Sequence, residues 1–171
     1  MPLQDFNGKW KEIESKNDSD FMKQMGMGKT KRRIAKRIKL YIEISVKNEK
    51  EYVYIHKLFG RKDEVTLGVE QIRASEMGKG KATVNLEGNA LVANYEVIET
   101  NDKRFGIKLP PGSKMVNRLE VNAAKDRLTM RTTFNGVTIE KILKKKGSNE
   151  AEDLEDADAV KELEAAQNDD E

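Results

Sequence analysis

Apolar and polar residues alternate along most of the chain. The segment KLYIEISVK (39–47) places Leu40, Ile42, Ile44 and Val46 on one face, a period of two that predicts a half-buried strand. Segments 7–15, 51–59, 63–74, 80–88, 90–99, 114–121, 127–134 and 137–145 read the same way, with 63–74 interrupted by Gly68. Trp10 and Ile13 fall in the opening strand. Gly88-Asn89 and Asn135-Gly136 sit between alternating runs and predict tight hairpins. In the third strand Tyr52, Tyr54 and His56 share one face and Val53 and Ile55 the other, and alternation alone does not say which is inside.

The period changes only between the first two strands. Phe21, Met22 and Met25 have helical spacing after polar residues able to cap a helix, and Gly26 and Gly28 end it. Thr30 can cap a second short helix with Ile34 and Ile38 on one face. Many short antiparallel strands with tight turns predict an all-β sandwich or a closed barrel, and closure removes exposed edges.

Composition narrows the chemistry. Of 171 residues, 37% are hydrophobic and 36% charged, enough for one core. There is no cysteine and a single histidine, His56, so disulfides and Cys- or His-based metal sites are not expected. No nucleophile–base pairing is visible, so neither an enzyme nor a cofactor is expected. No apolar run approaches a membrane span and the N-terminus does not read as a signal peptide, which predicts a soluble cytoplasmic protein. The net charge of +2 conceals a division: residues 150–171 carry −10, leaving +12 for residues 1–149. The tail reads as an acidic, disordered segment in which Leu154, Val160 and Leu163 form a weak helical stripe.

With these elements in place, the chain resembles the intracellular lipid-binding proteins, the fatty-acid-binding and cellular retinoid-binding family. FNGKWKEIES carries its Gly-x-Trp at Gly8 and Trp10. NDSDFMKQMGMGKTKRRIAKRI is similar to its helix–turn–helix, ATVNLEGNALV to its paired strands, and FNGVTIEKILKK to its closing hairpin. The resemblance implies a ten-stranded antiparallel up-and-down β-barrel, lipocalin-like, capped by two helices, over residues 1–146, with residues 147–171 as the tail.

The resemblance also implies a cavity for one hydrophobic ligand, a long-chain fatty acid before others. The residues it points to are Lys141, Arg118, Thr132, Met130, Leu143, Ile139, Leu58, Phe59 and Met25. Lys141 and Leu143 stand where fatty-acid-binding members have Arg-x-Tyr, so a point charge replaces a planar fork and a hydroxyl is lost. Leu58 and Phe59 fall near the hairpin used as a ligand entrance. Segment 98–113, with Pro110 and Pro111, is longer than the family's turn. It is expected to be a tolerated surface insertion, the alternative being an added lip or partner contact.

Lys31, Arg32, Arg33, Lys36 and Arg37 crowd the second helix. They predict a lid drawn to anionic membrane surfaces, or else a solvated helix face, and leave a nuclear address open. No base-stacking aromatic strand is present, so nucleic acid is not expected as a partner. The expected function is a monomeric carrier that delivers its lipid to membranes. The alternative is a membrane- or protein-interaction module on the same barrel.

Overall fold

The computed structural model describes residues 2–75, 78–100, 105–147 and 156–166. A 3-10 turn (Pro2–Phe6) precedes β1 (Gly8–Lys16), α1 (Asp18–Gln24) and α2 (Lys29–Ala35). Then come β2 (Tyr41–Val46), β3 (Glu51–His56), β4 (Arg61–Thr66), β5 (Gln71–Ser75) and β6 (Gly78–Glu87). The order continues with β7 (Ala90–Thr100), β8 (Lys114–Val121), β9 (Arg127–Phe134), β10 (Val137–Lys146) and α3 (Ala157–Ala165).

The strands form one ten-stranded antiparallel sheet in the order β4-β3-β2-β1-β10-β9-β8-β7-β6-β5. Sequential hairpins plus the β1–β10 pairing wrap it into a nearly closed barrel. The open seam is between β4 and β5. Here the single strand expected over 63–74 is two strands, because the chain turns at Leu67-Gly68, with Gly68 at φ +76°. The Gln71 side chain stitches the seam, accepting from the Thr66 N–H (3.2 Å) and donating to the Glu64 carbonyl (2.9 Å).

Alternation sorts the strands as predicted. Ile42 and Ile44 are buried, and Leu40 and Val46 pack inward with them. Asn135 and Gly136 both have positive φ (51° and 74°), as a tight primed hairpin turn requires. A bulge between Glu12 and Glu14 breaks the β1 pattern. It leaves Trp10 and Glu12 buried and Ile13 half exposed. Thr30 lies within α2, whose N-cap is Gly28, so the expected threonine cap does not form.

The core has two parts. One, at the closed end of the barrel, gathers Leu3, Phe6, Trp10, Ile42, Ile44, Leu128 and Leu143 among others, with the Trp10 indole N–H donating to the Phe6 carbonyl at 2.9 Å. The other, under the helices, joins Phe21, Met25, Met27 and Ile34 to Phe134, Ile139 and Met115.

Two expectations are corrected here. Within the 98–113 segment, residues 105–109 are not a surface insertion. Phe105, Ile107 and Leu109 are buried in the second cluster, while residues 101–104 lie outside the described set. The Lys108 N–H donates to the Met25 carbonyl at 2.7 Å, and a Cβ on Gly26 would stand 2.8 Å from the Lys108 Cβ. Alternate apolar residues thus turn a proline-marked loop into a wedge beside the cap. Of the tail expected to be disordered, residues 157–165 form α3 with Val160 and Leu163 buried; Leu154 lies outside the described residues. Leu163 finds apolar partners in the cluster under the cap, and that packing holds this stretch helical.

Candidate ligand cavity

A cavity of about 300 Å³ lies between the two clusters. Its helix-side wall is apolar: Phe21 and Met25 from α1, Ile107 from the wedge, Met115, Met130 and Ile139 from β8, β9 and β10. The β3–β5 wall is polar, with Tyr54, His56, Arg61, Asp63, Arg73 and Ser75. Arg61, Asp63, Arg73, Tyr54 and Asn117 continue into an annex of about 80 Å³ toward the closed end. The face of β3 that alternation left undecided, Tyr52-Tyr54-His56, therefore points inward.

The expected site residues separate. Met25, Met130, Thr132, Ile139 and Lys141 line the cavity. Leu143 is fully buried in the closed-end core and does not line it. Leu58 and Phe59 lie in the β3–β4 turn, off the cavity wall; the Phe59 ring bridges His56 (4.4 Å) and Phe105 of the wedge (5.0 Å). Arg118 is outside the barrel. Its Nε donates to Glu120 Oε1 at 2.5 Å and a second nitrogen lies 3.9 Å from Glu87. The inward residue of β8 is its neighbour Asn117, which accepts from the Thr132 hydroxyl at 3.0 Å. One position of slip exchanges the faces of a strand.

Lys141 reaches the cavity wall, but its charge is engaged. Nζ donates to Glu12 Oε1 (2.8 Å) and Ser15 Oγ (3.1 Å), and approaches Asp18 Oδ2 at 3.4 Å. The Glu12 carboxylate also accepts the Leu40 N–H at 3.1 Å and lies 4.0 Å from Lys39. The bulge at Glu12 is what brings this carboxylate inside, opposite the closing strand.

On the opposite wall, Arg61 is compensated by Asp63 at 3.2 Å. Arg73 is different. Its guanidinium donates to the neutral Gln71 side chain at 3.2 Å, and no carboxylate among the described residues pairs with it. Burial pushes the Tyr52 phenol well above its usual range, against a smaller opposing pull from Arg73. Arg73 lines both the main cavity and its annex. Sequence reasoning missed Arg61, Asp63 and Arg73.

The five basic residues expected on a lid are also divided. Lys31 and Arg32 are buried, and an Arg32 nitrogen donates to the Met27 carbonyl at 2.7 Å. Arg33, Lys36 and Arg37 are exposed, with the Arg37 guanidinium paired to Glu162 of α3. Among the described residues no group of three carboxylates or imidazoles could hold a metal, and no helix is long and apolar enough to cross a membrane.

A nearly closed antiparallel barrel with a two-helix cap and an amphipathic cavity defines a small-molecule-binding barrel. Comparison with known proteins specifies it further. No family model matches the chain. It is 30% identical over 130 residues to fatty acid-binding protein homolog 5 of Caenorhabditis elegans, covering 74% of this chain and 96% of that one. Homolog 6 of the same organism is 29% identical over 127 residues, covering 72% and 94%. The fold matches a Schistosoma mansoni fatty acid binding protein solved with arachidonic acid, at a TM-score of 0.68 and 19% identity, covering 86% of this chain and all of that one. The chain belongs to the fatty-acid-binding protein family.

Proposed function

We propose that the protein is a non-enzymatic carrier of a slender anionic amphiphile, a long-chain fatty acid before others, with residues 1–146 as the carrier. The acyl chain lies along the helix-side wall and the carboxylate at Arg73. The observation that carries this reading is the division of the cavity: one wall apolar, the other holding a cation that no carboxylate neutralises among the described residues. Lys141 is not the head-group anchor, because an incoming carboxylate would compete with Glu12 and Asp18 already beside its ammonium. The family relationship supports the ligand class.

Delivery to anionic membranes is supported by the exposed cations Arg33 of α2 and Lys36 just after it, next to a cap that must open for ligand exchange.

Titration of delipidated protein with oleic acid and with oleyl alcohol tests the carrier reading. The wild type binds both. Arg73→Gln weakens the acid by about tenfold or more, the value of a charge-assisted contact, and the alcohol by less than about threefold. Failure of the wild type to bind either ligand removes the carrier reading. An equal loss for both ligands removes only the placement at Arg73.

A further inference from the structure

Residues 156–166, within the acidic part of the chain, pack on the basic part of the cap. Val160 and Leu163, three apart on α3, are both buried, and Leu163 joins the cluster of Phe21, Met25, Met27 and Ile34. Around this apolar anchor the charges are complementary. Glu162 pairs with Arg37, and Asp156 Oδ2 accepts the Lys39 N–H at 2.8 Å. Burial lowers the pKa of the Lys31 ammonium, and the nearby Glu164 opposes that shift. Residues 156–166 contain Asp156, Asp158, Glu162 and Glu164 against Lys161 alone. Residues 29–39 contain Lys29, Lys31, Arg32, Arg33, Lys36, Arg37 and Lys39 with no acid.

A helix of nine residues is too short to persist by itself in water, so α3 owes its helical state to this docking. Its anchor is small, two aliphatic side chains and a few ionic contacts. Exposed ion pairs are individually weak and weaken further with salt. An extended anionic surface offers the same cations many more partners than α3 does.

We infer that α3 is an intramolecular strap occupying the cationic α2 side of the cap that an anionic phospholipid bilayer would otherwise engage, so that docking of α3 and docking of a bilayer exclude one another. The strap regulates the carrier proposed above and rests on that reading for its purpose, though not for its existence. Because Leu163 packs against the same cluster as Met25 and Ile107 of the cavity wall, releasing the strap also loosens the cap. A bilayer that displaces α3 thereby triggers ligand exchange where the ligand is wanted.

The test uses the full chain and two variants that undock α3 by different routes. Val160→Asp/Leu163→Asp removes the apolar anchor while adding negative charge. Glu162→Pro breaks the helix. Binding is measured by co-sedimentation with phosphatidylcholine vesicles, with and without phosphatidylglycerol, at low salt. Both variants should bind the anionic vesicles about five- to tenfold more tightly than wild type, equivalent to freeing one or two cations. Binding to neutral vesicles should be unchanged, and backbone amides of residues 29–39 should shift. The increase in the double-aspartate variant is the sharper result, since added negative charge alone would weaken binding. Absence of the increase in either variant overturns the strap. Oleic acid affinity in solution, measured alongside, reports on the carrier reading separately: its absence in the wild type removes that reading and leaves the vesicle comparison standing.

Discussion

Replacing Lys141 with Met separates two roles that its ammonium could have, holding the barrel together or holding a ligand. Nζ lies 2.8 Å from Glu12 Oε1, with the Glu12 side chain 2% exposed and that of Lys141 18% exposed. Breaking a buried pair by removing one partner costs about 3–5 kcal/mol, because a charge is left behind. Glu12 keeps the Leu40 N–H at 3.1 Å and a distant Lys39 at 4.0 Å, and Lys141 itself is not fully desolvated. The expected cost is therefore reduced to roughly 2–3 kcal/mol. For a chain of this size that is a fall in melting temperature of roughly 5–10 °C. Urea unfolding followed by the fluorescence of Trp10, beside an oleic acid titration, reads both roles at once. Lys141→Met should lower the urea midpoint while changing fatty-acid affinity less than about threefold, a margin well below one charge-assisted contact. Glu12→Gln/Lys141→Met should recover part of the loss, because a buried amide costs less than a buried carboxylate. A large, acid-selective loss of affinity with the midpoint unmoved would refute the structural role and restore Lys141 as the head-group anchor.

Leu109→Ala tests the wedge: Leu109 is 1% exposed, so truncation should destabilise by about 2–4 kcal/mol in the same urea assay, against less than about 0.5 for a surface loop. Tyr52→Phe tests the buried phenol. Its folded pKa is raised by burial, so its contribution to stability is complete below the unfolded value of about 10 and is lost as pH rises above it, where only the unfolded chain ionises. Urea midpoints measured from about pH 8 to pH 11 should fall less steeply for Tyr52→Phe than for the wild type; parallel curves would show that Tyr52 titrates normally.

The barrel was legible because most strands keep strict contrast between faces, as in Leu40-Ile42-Ile44-Val46, and because Asn135-Gly136 marks its turn chemically. The polar wall was not, for the opposite reason. In β4 the inward Arg61 and Asp63 alternate with the outward Lys62 and Glu64, so its first four positions are all charged and the period carries no contrast there. The misplacement of Arg118 is a different failure, a slip of one residue in a strand whose neighbours Asn117 and Arg118 are both polar. Lys141 was found, but its partners were not. Glu12 and Asp18 stand more than 120 residues away in the chain, and the bulge that turns Glu12 inward has no sequence signature. The wedge did carry a signal. Phe105, Ile107 and Leu109 alternate, and the two prolines that follow masked them. The docking of α3 needed both halves of the charge division and the apolar pair Val160-Leu163 read together.

The proposed carrier holds a fatty acid inside the barrel with its carboxylate at the β4–β5 wall. Isotope-filtered NMR on the delipidated protein loaded with uniformly ¹³C-labelled oleic acid addresses it directly. The acyl chain should show contacts to the methyl groups of Met115, Met130 and Ile139, and the carboxyl carbon a resonance that responds to Arg73→Gln but not to Lys141→Met. Contacts confined to the protein exterior, or a carboxyl resonance that responds to Lys141→Met alone, would contradict it.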